Sequence, residues 1–352
     1  MARREGHEVL AVDAFADVDT RQAAQQVWRL PALAGQLSAE DASALFEKLD
    51  SWQPDAVLVG SGFEASIELY QRLYQRYALA GNTPALLAQV KNPYWLSSYC
   101  AAHGVMTPPV QAQAPQAGPW LYKVAGQSGG SHVLHWDKAA VVSPDPAAYW
   151  QMLQPGLAVG ALFVVEADLV TLLGVHALRQ RPGNYTYAGA TRLHEPQLIA
   201  AMQALLAALV PGLGLVGINS LDAIWQHGQL HLLEINPRLS ASMRLYSDLP
   251  LIQAQLASCQ RGLMPELATN GNYASHCILY ARQAIATEDL VFPAWLEDKP
   301  DGGSISAGLP LCSLYAEAAT KDELEQALQD KKTQLEKLWG TYVCERIEFN
   351  IH

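Results

Sequence analysis

The stretch GLVGINSLDAIWQHGQLHLLEINPRLSASMR, residues 214–244, decides how the rest of the chain is read. Residues 221–226 and 230–236 are short, apolar-rich runs, and His227-Gly228-Gln229 between them carries the turn chemistry of a hairpin. Alternation of period two places Leu232, Glu234 and Asn236 on one face of the second strand. With a three-residue loop, Asp222 lies opposite Glu234, so two carboxylates and an amide converge. Like charges opposite one another weaken a ladder, and this arrangement therefore calls for a cation. Hard oxygen donors of this kind suit Mg²⁺ held against nucleotide phosphates, with Mn²⁺ as the substitute. Arg238 follows beyond a proline that ends strand pairing and would bring positive charge to a phosphoryl group. The bland alternative is a surface hairpin with a solvated acidic edge. Leu232, Leu233, Ile235 and Pro237 argue against it, because they demand burial around the charges.

Asp222 followed twelve residues later by Glu-Ile-Asn-Pro-Arg (234–238) resembles the metal signature of the ATP-grasp superfamily. The resemblance implies an α/β (α+β) chain with the ATP-grasp fold and an N-terminal Rossmann-like domain. It implies ATP and Mg²⁺ as cofactors, with Asp222, Glu234 and Asn236 as metal ligands. Arg238 would steady the γ-phosphate or an acyl-phosphate, which makes it, with Lys123, a catalytic residue.

Upstream segments extend the resemblance. Lys123 ends an expected strand over 120–124 and precedes Ala-Gly-Gln-Ser-Gly-Gly-Ser (125–131), whose Gly126, Gly129 and Gly130 let backbone amides close on phosphate oxygens. This resembles the superfamily's lid loop, with Val124 where proline is common. Lys91, ahead of a helix to about residue 103 and of Gly-Val-Met-Thr-Pro (104–108), resembles the lysine that contacts a nucleotide phosphate. Residues 149–156, including Gln151, Met152 and Leu153, resemble the hinge beside adenine. Asn184 to Ala190 resembles the Tyr-x-Gly-Ala turn of ligase-like members, placing Tyr187 near substrate together with Ser240, Ser242 and Arg244, where an arginine would bind a carboxylate in bidentate fashion. Ser61, Phe63 and Glu64, after an expected strand over 56–60, stand where open α/β sheets meet ligands, although a plain strand-to-helix turn fits them as well.

Three domains are expected: a Rossmann-like domain over 1–88, a lid over 89–155, and a metal-bearing subdomain over 156–352. The run ARREGHEVLAVD reads as the close of a first helix and a second strand, so the Rossmann-like domain is expected to lack its first strand. The third domain is expected to contain a hairpin over 304–316, a charged helix over 322–339 and a last strand over 344–352. Formal charge −11 in 352 residues disfavours nucleic acid and anionic membrane as main partners. Half the chain is apolar without a membrane-length apolar run, and five scattered cysteines form no CxxC pair, so neither a disulfide framework nor a zinc site is supported. A cytoplasmic enzyme is expected, with small-molecule partners and a homodimer as its assembly. The resemblance implies a carboxylate-amine ligase forming an amide through an acyl-phosphate, similar to tyramine-glutamate ligases and thus pointing to one-carbon cofactor biosynthesis, of methanofuran or a pterin. A small-molecule kinase and a non-catalytic ATP-binding regulator are the alternatives.

Overall fold

The computed structural model describes residues 1–34, 37–136, 145–340 and 343–344, and these divide into two compact units. One comprises residues 53–187 and 193–267, and contains every expected site residue. The other comprises 1–52, 188–192 and 268–352. Among the described residues, no helix is long and apolar enough to cross a membrane.

The site-bearing unit is built on four antiparallel strands in the order Gln229–Asn236, Gly217–Gln226, Leu157–Glu166, Leu169–Gln180. Alternation divides them into two faces. Val159, Ala161, Phe163, Val175, Leu221, Ala223, Leu232 and Ile235 pack with Leu198, Met202, Leu206 and Leu209 of the helix Pro196–Leu209. The other face carries Ala158, His176, Leu178, Ser220, Asp222, Ile224, Glu234 and Asn236 and lines a cavity. Burying one face at roughly 25 cal/mol per Å² of apolar surface fixes the register, because a one-residue slip would move the carboxylates into the core.

A smaller antiparallel sheet in the same unit, Val110–Gln111, Ala148–Met152, Trp120–Val124 and Leu134–His135 in spatial order, carries Lys123. Its support is aromatic: Trp120, Tyr122 and Trp150 are buried together, with Tyr122 and Trp136 each meeting Trp150 edge-on. The expected strand over 56–60 is reduced to a single parallel bridge, Val57 to Leu79.

In the other unit, Leu10–Asp13 pairs in parallel with Gln26–Arg29. The hairpin expected over 304–316 does not form. Ser304–Ile305 pairs with Ile285–Ala286, whereas Pro310–Ala318 pairs with Tyr273–Tyr280, because each run finds a complementary partner more distant than its neighbour. The helix Lys321–Trp339 starts in a Thr320/Glu323 capping box and buries Leu324, Leu328, Leu335 and Trp339. The strand expected over 344–352 lies, beyond Cys344, outside the described residues.

Candidate active site

The hairpin turn has two residues, not three. His227 and Gly228 both take positive φ, 49° and 77°, the geometry of the tight turn that matches strand twist. By itself this would put Asp222 and Glu234 on opposite faces. A β-bulge corrects it: Ala223 pairs with Leu232 and Asp222 with Glu234, leaving Leu233 as the extra residue. The bulge also separates Leu232 from the face expected for it. Leu232 is fully buried in the core, while Leu233, Glu234 and Asn236 line the cavity.

Lys91 stands between two helices. Pro84–Val90 ends on it, and Asn92 caps Pro93–Ala102 by accepting from the amides of Tyr94 and Trp95 at 3.0 and 3.1 Å. Its Nζ lies 3.2 Å from Glu234 Oε2 and 2.5 Å from Asn236 Oδ1. The ammonium thus supplies the positive charge that the paired carboxylates require. Enclosure in the cavity pushes Asp222 up to about 8, reinforced by the charge of Glu234 opposite. Enclosure acts on Glu234 in the same direction, but Lys91 and Lys123 outweigh it and hold this carboxyl below its ordinary range. The two carboxyls are thus pushed in opposite directions, Asp222 toward its protonated form and Glu234 toward its ionised one.

Lys123 donates to Gln151 Oε1 at 3.0 Å, and its Nζ lies 6.0 Å from the centre of the Tyr149 ring. Burial would lower its pKa, but Tyr149, Glu234 and Asp222 together raise it, so it remains an ammonium. The glycines that follow are fixed by close approach. A Cβ on Gly130 would fall 2.0 Å from the carbonyl oxygen of Tyr185, and one on Gly126 2.8 Å from that of Glu64. Tyr187 donates its amide to Gly129 at 2.9 Å, and Tyr185 Oη lies 3.0 Å from His135 Nε2. In the expected hinge, Met152 and Leu153 donate their amides to Pro109 and Pro119, and both residues line the cavity.

Arg238 lines the same cavity. Its Nε donates to Glu64 Oε1 at 2.5 Å and its Nη1 to the carbonyl of Leu239 at 3.1 Å. Glu64, whose side chain is 1% exposed, also accepts from the amide of Gly62 at 2.9 Å. Its carboxylate is therefore committed to the arginine behind the cavity wall. Ser240 and Ser242 share a hydroxyl contact at 2.7 Å and line the cavity with Tyr187. Arg244, on the 3₁₀ turn Ala241–Tyr246, does not line it.

The structure brings Lys91, Lys123, Gly126, Gly129, Gly130, Gln151, Met152, Leu153, Asp222, Glu234, Asn236 and Arg238 around one cavity of about 480 Å³. Sequence reasoning missed Asn82, which is buried. Its Nδ2 donates to Asn219 Oδ1 at 2.9 Å and to the carbonyl of Pro237 at 3.0 Å, and its Oδ1 accepts from the amide of Val216 at 2.9 Å. It holds the exit of the metal-signature strand, yet before Thr-Pro it reads as an ordinary turn residue.

An antiparallel sheet bearing paired carboxylates under a lysine- and glycine-bearing lid is the arrangement of the ATP-grasp fold, and residues 94–242 match the family model described as an ATP-grasp domain. Solved structures agree on the fold. The biotin carboxylase of Campylobacter jejuni, determined as a β,γ-ATP complex, superposes with TM-score 0.72 at 13% identity over 96% of this chain and 87% of its own. The L-amino acid ligase of Bacillus licheniformis superposes with TM-score 0.65 at 12% identity, covering 93% and 97%. Rhizobium etli pyruvate carboxylase gives TM-score 0.69 at 15% identity over 94% of this chain, which spans 35% of that longer protein. A comparison with curated proteins gives no match.

Proposed function

We propose that the protein is an ATP-dependent ligase joining a carboxylate to an amine, with ADP and phosphate as products. The observation that carries this reading is the convergence of Asp222, Glu234, Asn236, Lys91, Lys123 and Arg238 on one cavity. The donor set fits Mg²⁺: two carboxylates and an amide oxygen, brought together on one cavity wall, are hard ligands. Asp222, Glu234 and Asn236 would hold the ion, which neutralises phosphate charge when bound. Mn²⁺ would substitute.

The chain's own residues would divide the remaining work. Leu153, Ile224 and Leu96 supply an apolar wall for adenine, while Lys91, Lys123 and the glycine-rich loop meet phosphates. An oxygen of the acid attacks the γ-phosphorus as ADP leaves, giving an acyl-phosphate. The amine nitrogen then attacks the acyl carbon, phosphate departs, and the nitrogen gives up its proton to solvent. Arg238, oriented by Glu64, faces the charge that develops on the transferred group. Ser240, Ser242 and Tyr187 are the substrate-side residues of this reading, and Arg244, which stands away from the cavity, is not among them. A role in assembling a one-carbon cofactor such as methanofuran or a pterin, in the cytoplasm and as a homodimer, completes it. ADP release measured over acids crossed with amines tests it: turnover must need both, and turnover with a hydroxyl compound alone would make the protein a kinase.

A further inference from the structure

The floor of the cavity presents a polar side chain that the metal and lysine assignments leave unused. His176 is 1% exposed and lines the cavity. Its Nδ1 lies 3.2 Å from Tyr246 Oη, and burial lowers the imidazole pKa to about 3, so the ring is neutral. Among the described residues, Nε2 has no hydrogen-bond partner.

Register shows where that nitrogen points. Glu234 pairs with Asp222, Asp222 with Gly160 and Gly160 with His176, a single row across four strands. Directly paired residues share a face, so the row runs carboxylate, carboxylate, gap, imidazole. The gap is filled by the ring tip: a Cβ on Gly160 would meet Nε2 at 2.5 Å, nearer than any other atom. Gly174 makes the corresponding room for the anchor, since its Cβ would lie 2.4 Å from the Tyr246 ring. Two glycines thus accommodate an imidazole that is held at one nitrogen and open at the other, beside Asp222 on the side away from Glu234. That nitrogen faces the cavity, where an oxygen of a bound ligand can pair with it.

We infer that His176 Nε2 is a direct hydrogen-bond contact to bound nucleotide, donating to a phosphate or ribose oxygen beside Asp222. Donation follows if Tyr246 Oη gives its proton to Nδ1, which leaves the ring's single proton on Nε2. The inference rests on the nucleotide reading of the cavity, and its test keeps the two apart. Titration calorimetry with ADP and Mg²⁺ on the intact chain should show His176→Phe binding about tenfold more weakly than wild type, the loss of one hydrogen bond. His176→Gln, which keeps a donor, should recover part of that loss. Gly160→Ala leaves His176 chemically intact but displaces its tip, and should reproduce the weakening with the circular dichroism spectrum of the wild type. Repeating the series with adenosine separates the oxygen sources: a loss that persists assigns the ribose, and one that vanishes assigns a phosphate. Wild-type affinity in both His176→Phe and Gly160→Ala would overturn the inference while leaving the nucleotide reading standing. Failure of the wild type to bind ADP with Mg²⁺ would overturn both.

Discussion

Glu234 is the residue on which the site turns, because it faces Asp222, touches Lys91 and is held ionised by two lysines. Glu234→Gln keeps the shape and removes the charge. Acid- and amine-dependent ADP release should fall at least ~100-fold, the scale of losing one preorganised electrostatic group, with the circular dichroism spectrum unchanged. Asp222 gives a pH signature. Its folded pKa of about 8 lies above the ordinary 3.8, so folding takes up a proton. The associated stability is complete below about 3.8 and is lost as pH rises through about 8. Without divalent ions, the wild type should therefore lose more melting temperature between pH 5 and pH 9 than Asp222→Asn, and Mg²⁺ should restore more of it at pH 9. Equal slopes for the two proteins would contradict this. Glu64 and Arg238 form a pair whose partnership is measurable: if Glu64 acts through Arg238, Glu64→Gln should lower kcat in the wild type and add nothing in an Arg238→Ala background. At this scale the sequence revealed residue types and order. Contacts between residues remote in sequence stayed hidden, such as Glu64 with Arg238 or Asn82 with Pro237, because each side chain has an ordinary local reading.

Two elements carry these residues, and each depends on backbone detail that alternation does not encode. In the hairpin, the period-two pattern gave the right face for Glu234 only because two departures cancel: a turn one residue shorter than expected and a bulge at Leu233. His227 in left-handed geometry is the unreadable step, since nothing in His-Gly-Gln distinguishes a two-residue turn from a three-residue one. In the lid loop, composition was informative, and the structure adds why glycine is required. Gly130 has φ 75°, and any Cβ there overlaps the Tyr185 carbonyl oxygen. Gly130→Ala should thus displace the loop from residues 185–187 and raise the KM for ATP roughly tenfold, about 1.4 kcal/mol of lost binding. Gly129 has the same φ with nothing within 4 Å of a Cβ, so Gly129→Ala should be the milder variant. The reverse order in steady-state kinetics would show that the contact with Tyr185 does not position the loop.

For the whole molecule, the fold was legible because its decisive parts are local and ordered along the chain: Lys91, Lys123 with its glycines, then Asp222 and Glu234. Long-range pairing was not legible, as the partners of residues 304–305 and 310–318 show, since strands of similar composition compete and only tertiary packing selects among them. The same limit applies to chemistry. Paired carboxylates, two lysines and a glycine-rich loop point to nucleotide and metal, whereas the cavity wall near Ser240, Ser242 and Tyr187, proposed to face the acceptors, has no comparable signature. The discriminating experiment is therefore performed on the complete chain with substrates as the variable. With ATP and Mg²⁺, the proposed ligase chemistry requires that phosphate release be negligible with an acid alone or an amine alone and rise at least ~100-fold with the correct pair. Chelation by EDTA should abolish that rise and Mn²⁺ should restore it, as expected of an oxygen donor set. Release that needs neither acid nor amine would mean that the cavity hydrolyses ATP without coupling it to a bond, and the ligase reading would fall while the nucleotide site remained.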